Sequence, residues 1–197
     1  MLTFQQFLAD AANRGDAVNT LFEERLFSLV GLLHRIADSL AAEQIPYEVV
    51  GGLAVLIHVE EASPEHTSLT RDVDLMIRRA DLERVKAAAA KAGINILIHG
   101  DAESARNAVH LVFSGEKVRP DYLAPAPPIE PERKQVHGKD VMVIPVADLV
   151  AMKLTSNRDR DRVHIRSMDA AGLVTDEVAQ KLTPELAARL KHIRETE

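Results

Sequence analysis

The spacing of apolar residues changes period along this chain, and each period predicts a different element. From Thr20 to about Glu43, residues Leu21, Phe22, Leu26, Leu29, Val30, Leu33, Ile36, Ala37 and Leu40 recur at threes and fours. That spacing is one buried face of a helix. Thr20 with Glu23, and Thr3 with Gln6, have the spacing of capping boxes, so a shorter helix is expected first, with a turn at Asn13–Asp16. Pro46 blocks further helix. Tyr47–Val50 is then a short β-prone run ending at Gly51-Gly52, and the apolar run Leu53–Val59 reads as a helix after the glycines. Glu61–Thr70 is a polar loop. Val73, Leu75 and Ile77 alternate with Asp72, Asp74 and Met76, which predicts a strand.

Asp81–Ala92 reads as a helix ended by Gly93, and Ile94–Ile98 as the next strand. Val109–Phe113 and Lys117–Leu123 flank Ser114-Gly115-Glu116 and are expected to pair as a hairpin. Ala124–Gly138 holds Pro125, Pro127, Pro128 and Pro131 and reads as a linker. Val141–Ile144 is the last expected strand, stopped by Pro145. Helices follow at Val146–Thr155, at about Asp159–Ala171 before Gly172, and at Pro184–Arg194 with Thr183 as cap. The expected architecture is α/β (α+β), with a mixed sheet of about five strands. An N-terminal helical arm covers 1–45, a core 46–145 and a C-terminal helical subdomain 146–197.

Composition narrows the function classes. The 197 residues carry a net charge of −6, with 46% apolar and 27% charged residues, as in an ordinary globular domain. The absence of cysteine removes disulfides, zinc–thiolate sites, Fe–S clusters and thiol nucleophiles. No Trp, two Tyr and five Phe argue against aromatic platforms for stacking bases. The acidic balance argues against a broad nucleic-acid-coating surface but leaves room for a local basic patch. No long apolar run suggests a membrane span, and the first residues lack the pattern of a secretion leader, so a cytoplasmic protein is expected.

Candidate chemistry gathers in a few segments. On a strand, Asp72 and Asp74 point to one face, roughly 6–7 Å apart. Two carboxylates so placed repel unless a cation sits between them, and Mg²⁺ favours one or two carboxylates with substrate phosphates. The bland alternative is a solvated strand face. Gly51-Gly52 stands at a strand-to-helix junction, where free N–H groups can meet a phosphate, or where a tight turn simply needs a positive φ. Asp121, in the second strand of the expected hairpin, can join the two acids if that strand lies beside theirs; otherwise it is a surface carboxylate. Arg158, Arg160, Arg162 and Arg166, interleaved with Asp159 and Asp161, read chiefly as an ion-paired helix start, with one or two arginines free to meet phosphate. The remaining histidines, among them His58 and His110, show no regular ligand spacing.

The run Val49-Val50-Gly51-Gly52, an apolar helix, and then Thr70-Arg71-Asp72-Val73-Asp74-Leu75-Met76-Ile77 resembles the signature of the DNA polymerase beta-type nucleotidyltransferase superfamily. With Lys153-Leu154 and the following Arg158 to Ile165, it looks most like the small bacterial branch of AbiEii-type toxins and minimal nucleotidyltransferases. The resemblance spans roughly Tyr47 to Leu173. It implies a nucleotidyltransferase fold and Mg²⁺-dependent transfer of a nucleoside monophosphate from an NTP to a hydroxyl acceptor. It implies Asp72, Asp74 and Asp121 as catalytic and metal-binding residues of a two-ion site, and Gly51, Gly52, Lys153 and Arg158 as nucleotide-binding residues. The acceptor stays open between RNA, a protein side chain and a small molecule, and a toxin role would bring an antitoxin partner. The chain departs from the family pattern at Leu53, where many members carry Ser, and at His164, where they carry Asp. Those departures keep open a second class, a nucleotide-binding or protein-interaction module without catalysis. A second apolar side on the Thr20–Glu43 helix would make a homodimer contact.

Overall fold

The computed structural model describes residues 24–67, 70–98 and 108–196; the two expected capping boxes and the turn at 13–16 lie outside them. Residues 24–42 form helix α1, and Leu33, Ile36 and Leu40 on its apolar face are fully buried. Strand β1 (Glu48–Val50) runs without a loop into α2 (Gly51–Ala62). A 3-10 turn at Pro64–His66 precedes β2 (Val73–Ile77). Helix α3 (Leu82–Lys91), followed by Gly93 at φ 67°, leads to β3 (Asn95–Ile98). Strands β4 (Ala108–Phe113), β5 (Glu132–Val136) and β6 (Lys139–Val143) complete the sheet. Helices α4 (Val146–Ser156), α5 (Asp159–Ala170), α6 (Asp176–Gln180) and α7 (Pro184–Glu195) follow.

The sheet is mixed and has six strands, in the order β3-β4-β2-β1-β6-β5. Strand β1 is antiparallel to β2 and parallel to β6. Strand β4 runs parallel to β2 on one side and to β3 on the other. Helix α2 is buried from Gly52 to Val59 and packs on β2, α4 and α5. Helix α1 is tied down at its middle and just past its C-terminal end. His34 Nε2 donates to the Val136 carbonyl at 2.8 Å, and the Glu43 carbonyl accepts from Arg84 at 2.7 Å. One buried cluster joins α1, the sheet and the C-terminal helices through residues such as Leu33, Leu75, Leu149 and Ile165.

Two segments differ from the sequence expectation. The run 117–123 is not a strand, and the hairpin with Val109–Phe113 does not form. Both edges of β4 are already paired, so no edge remains for it. The chain instead closes a loop in which Gly115 N–H donates to the Ala126 carbonyl and Ala126 N–H to the Glu116 carbonyl, each at 2.9 Å. The second half of the expected linker is the sixth strand, β5. It is charged because it lies at the sheet edge, where lysine and arginine discourage further pairing. The turn His137-Gly138, at φ 46° and 78°, joins it to β6 as a two-residue hairpin with both central residues left-handed.

One carboxyl is buried within this frame. Glu48 on β1 is 0% exposed and accepts a hydrogen bond from the Glu130 N–H, while its Oε2 has no partner. Burial, together with the charges of Asp148 and Glu130, pushes it up to about 7 against the pull of that N–H. The folded protein therefore holds this proton to a higher pH than the unfolded chain does. The contribution of Glu48 to stability is full in acid, falls as pH rises from the ordinary carboxyl range toward 7, and then levels off. Glu48→Gln is expected to flatten that slope and to be more stable than wild type at pH 8 by about 1–3 kcal/mol. Urea denaturation of both proteins at pH 5 and pH 8 measures the difference.

Candidate functional site

The site starts from a register. Val50, the last residue of β1, pairs with Asp74 of β2, and α2 begins at the next residue. Gly51 has φ 70°, and a Cβ there would lie 2.0 Å from Asp74 Oδ2. A Cβ on Gly52 would lie 2.6 Å from Thr70 Oγ1 and 3.4 Å from His164 Cε1. The two glycines are thus needed for close approach as well as for the turn. Val50 at the N-cap offers no side-chain acceptor, and the first turn of α2 carries no acid. The leading N–H groups of the helix therefore have no side-chain partner from the cap, and Gly51 and Gly52 line the cleft.

Asp72 and Asp74 are half-buried and line this cleft. Among the described residues, neither forms an ion pair with a lysine or arginine. Asp74 Oδ1 lies 3.5 Å from Nδ1 of His110, the β4 residue in register with it. The Asp74 carboxylate, helped by the charge of Asp72, raises the His110 imidazole above its ordinary value against the effect of burial. Asp121 does not join the pair. It is exposed, in a turn where Tyr122 N–H donates to the Arg119 carbonyl, and only its neighbours Val118 and Tyr122 line the cleft. The strand expected to carry it beside β2 is absent, because β4 holds that edge and sets His110 opposite Asp74. Among the described residues, no three His, Asp or Glu side chains form a metal-holding group.

The facing wall comes from α4 and α5. Lys153 lines the cleft at 6% exposure, with its Nζ 3.2 Å from Asp161 Oδ1. Asp161 is 1% exposed and also accepts from Arg158 Nε at 2.7 Å, from Ser156 Oγ, and from the Arg158 main-chain N–H at 3.4 Å. Burial alone would raise the Asp161 carboxyl; Arg158, Lys153 and Ser156 outweigh it and hold it at about 2. His164 is 2% exposed, and its Nδ1 has no partner. Burial, then the charge of Lys153, pushes it down to about 4, so it is neutral at pH 7.

Of the residues singled out from sequence, Gly51, Gly52, Asp72, Asp74, Lys153, Arg158, Arg160 and His164 share the cleft, and Asp121 stands outside its lining. Arg162 pairs with Asp159 at 3.5 Å, as an ion-paired helix start requires, and Arg166 turns to the Thr196 carbonyl. His110, Thr70 and Asp161 were not singled out. Only Asp161 left a trace in the sequence, three residues after Arg158 on the helix start. His58 is a satisfied core residue, its Nε2 donating to the Ile144 carbonyl at 2.8 Å.

No family model and no curated protein matches the chain. Solved structures do match. The solution structure of the antibiotic-resistance factor ANT(2″)-Ia has a TM-score of 0.51 at 14% identity, over 84% of this chain and 91% of that one. The crystal structure of ANT(2″)-Ia in complex with adenylyl-2″-tobramycin has a TM-score of 0.53 at 17% identity, over 84% and 97%. At these identities the likeness establishes the fold, the mixed α/β nucleotidyltransferase fold.

Two glycine substitutions separate backbone strain from crowding. Gly93 also has a positive φ, but nothing lies within 4 Å of its added Cβ. Gly93→Ala is expected to cost about 1–2 kcal/mol, the usual left-handed penalty. Gly51→Ala must also displace the Asp74 carboxylate, and its loss is expected to be larger by at least about 1 kcal/mol. Chemical denaturation of the two variants measures the difference.

Proposed function

We propose that this chain is a nucleotidyltransferase that moves a nucleoside monophosphate from an NTP to a hydroxyl acceptor and releases pyrophosphate. The supporting observation is the cleft itself. Asp74 on β2 and Asp72 just before it, neither paired with a lysine or arginine among the described residues, share a cleft with Lys153, Arg158 and the uncapped N-terminus of α2. The main-chain N–H groups of Gly51 and Gly52, with Lys153 and Arg158, bind the triphosphate. Asp72 and Asp74 would hold Mg²⁺, since two carboxylates completed by phosphate and water are an ordinary ligand set for that ion. When bound, the ion neutralises phosphate charge and makes the attacking hydroxyl more acidic. The hydroxyl oxygen bonds to the α-phosphorus as the bond to pyrophosphate breaks, and the carboxylate pair takes the hydroxyl proton. Asp121 has no part in this reading, which therefore carries one ion where the sequence suggested two.

Two acceptor classes have support. ANT(2″)-Ia was crystallised with an adenylylated tobramycin, which favours a small-molecule hydroxyl. The AbiEii-like segment from Lys153 to Ile165 favours a toxin with an antitoxin partner. The alternative, a binding module without catalysis, is favoured by the incomplete acid set and by His164. Among the described residues, no helix is long and apolar enough to cross a membrane.

Calorimetric titration with each of the four NTPs, with and without Mg²⁺, tests the reading. Wild type is expected to bind at least one NTP about tenfold or more tightly with Mg²⁺, and the Asp72→Ala/Asp74→Ala protein to lose that stimulation. If neither protein binds any NTP under Mg²⁺, the reading is lost. Pyrophosphate release with an acceptor pool would exclude the non-catalytic alternative.

A further inference from the structure

We propose that Asp161 is the positioning residue of the cleft: its buried carboxylate keeps the Lys153 ammonium charged and holds it, beside Arg158, toward the nucleotide phosphates. The inference rests on the nucleotidyltransferase reading for its ligand but not for its geometry. An acid whose only work was to start helix α5 would need the Arg158 main-chain N–H and little else. Asp161 instead takes donors from both sides of the α4–α5 junction: Ser156 Oγ and Lys153 Nζ from α4, and the Arg158 guanidinium from the junction itself. Its two oxygens share this work. Oδ1 meets Lys153 at 3.2 Å, while Oδ2 is held by Ser156 and by Arg158 Nε at 2.7 Å. Ser156 and Arg158 thus orient the carboxylate, and the carboxylate orients the lysine.

Lys153 needs such a partner. A buried ammonium without a counter-charge loses its proton, and a neutral amine does not hold a triphosphate as a charge. Burial holds Lys153 below its ordinary value, and Asp161 is the main influence opposing that fall. The other charged groups facing it are few. Arg158 on the same wall works against its charge, and Asp74 on β2 adds to it from beyond ion-pair distance. His164 is neutral at pH 7 and supplies no counter-charge. From α7, Arg189 is occupied with the carbonyls of Leu154 and Thr155. Asp161 is therefore the one carboxylate within 4 Å of Lys153 among the described residues.

The variant Asp161→Asn keeps one acceptor oxygen for Arg158 and Ser156, removes the charge, and puts an amide NH2 where an oxygen accepted from Lys153. The first measurement needs no nucleotide. The Lys153 side-chain NMR signal, assigned by its loss in Lys153→Arg, is followed against pH. The Asp161→Asn lysine is expected to titrate at a lower pH than the wild-type lysine, because the buried ammonium has lost its counter-charge. An unchanged midpoint in the folded variant would overturn the proposal. So would a wild-type Lys153 that deprotonates below pH 8, which decides the matter even if the variant fails to fold. The second measurement is Mg²⁺–ATP, –CTP, –GTP and –UTP affinity between pH 7.5 and 9. Affinity is expected to hold within about twofold in wild type and to fall about tenfold in Asp161→Asn. Lys153→Arg in the Asp161→Asn background should restore a flat profile, because a guanidinium keeps its proton. A pH-independent loss in Asp161→Asn would reduce Asp161 to a structural role. A wild type that binds no NTP overturns the functional reading alone, and the nucleotide-free lysine titration still decides this one.

Discussion

The pairing of Val50 with Asp74 is the constraint on which the cleft depends. Strand side chains alternate faces, so a slip of one residue would turn Asp72 and Asp74 into the core and bring Val73 and Leu75 to the cleft. The core forbids that slip, because Val73, Leu75 and Ile77 are all 0% exposed. The carboxylates are therefore placed by hydrophobic packing on the opposite side of the same strand. The register also brings Asp74 against Gly51, leaving no room there for a side chain. Helix α2 must start at that point, and its burial from Gly52 to Val59 holds its first N–H groups in place.

Charge in the cleft is divided between two walls. Asp74 on β2 and Asp72 just before it form no ion pair with a lysine or arginine among the described residues, and His110 lies 3.5 Å from Asp74. Lys153 and Arg158 sit on the other wall, partnered by one another's shared acid instead of by the strand carboxylates. Direct pairing across the cleft would close it. The internal acid keeps Lys153 and Arg158 on their own side, and with Arg160 also lining the cleft that wall carries a net positive charge. Such an arrangement suits a ligand that is itself anionic and that brings a cation to the carboxylates.

What the sequence revealed follows from how local each signal is. The apolar stripe of α1, the alternation of β2 and the glycine pair each depend on neighbours a few residues away, and all three lie where expected. Strand β5 was hidden, because a charged edge strand shows no alternating burial. The expected strand at 117–123 failed for a nonlocal reason: its partner β4 was already paired on both edges by β2 and β3. That one topological fact put His110, and not Asp121, beside Asp74. Asp161 was legible as an acid near Arg158 but not as a buried one, since its burial depends on α4 folding back over α5.

Leu53 shows how a site can persist while its side chains change. It follows the two glycines and is 1% exposed, packed into the core cluster. A side chain at this position serves the core, so the donors offered to the cleft here are main-chain N–H groups. Such groups are present whatever residue occupies the position, provided the helix starts there. The same reasoning bears on the likeness to ANT(2″)-Ia at 14–17% identity. A core tolerates extensive substitution when volume and patterning are kept, so a fold can survive at that identity and with it the helix N-terminus and the strand face beside it. Function is carried by the groups that line a cleft, and in this chain those include Asp72, Asp74, Lys153 with its acid Asp161, Arg158, Arg160 and the neutral His164.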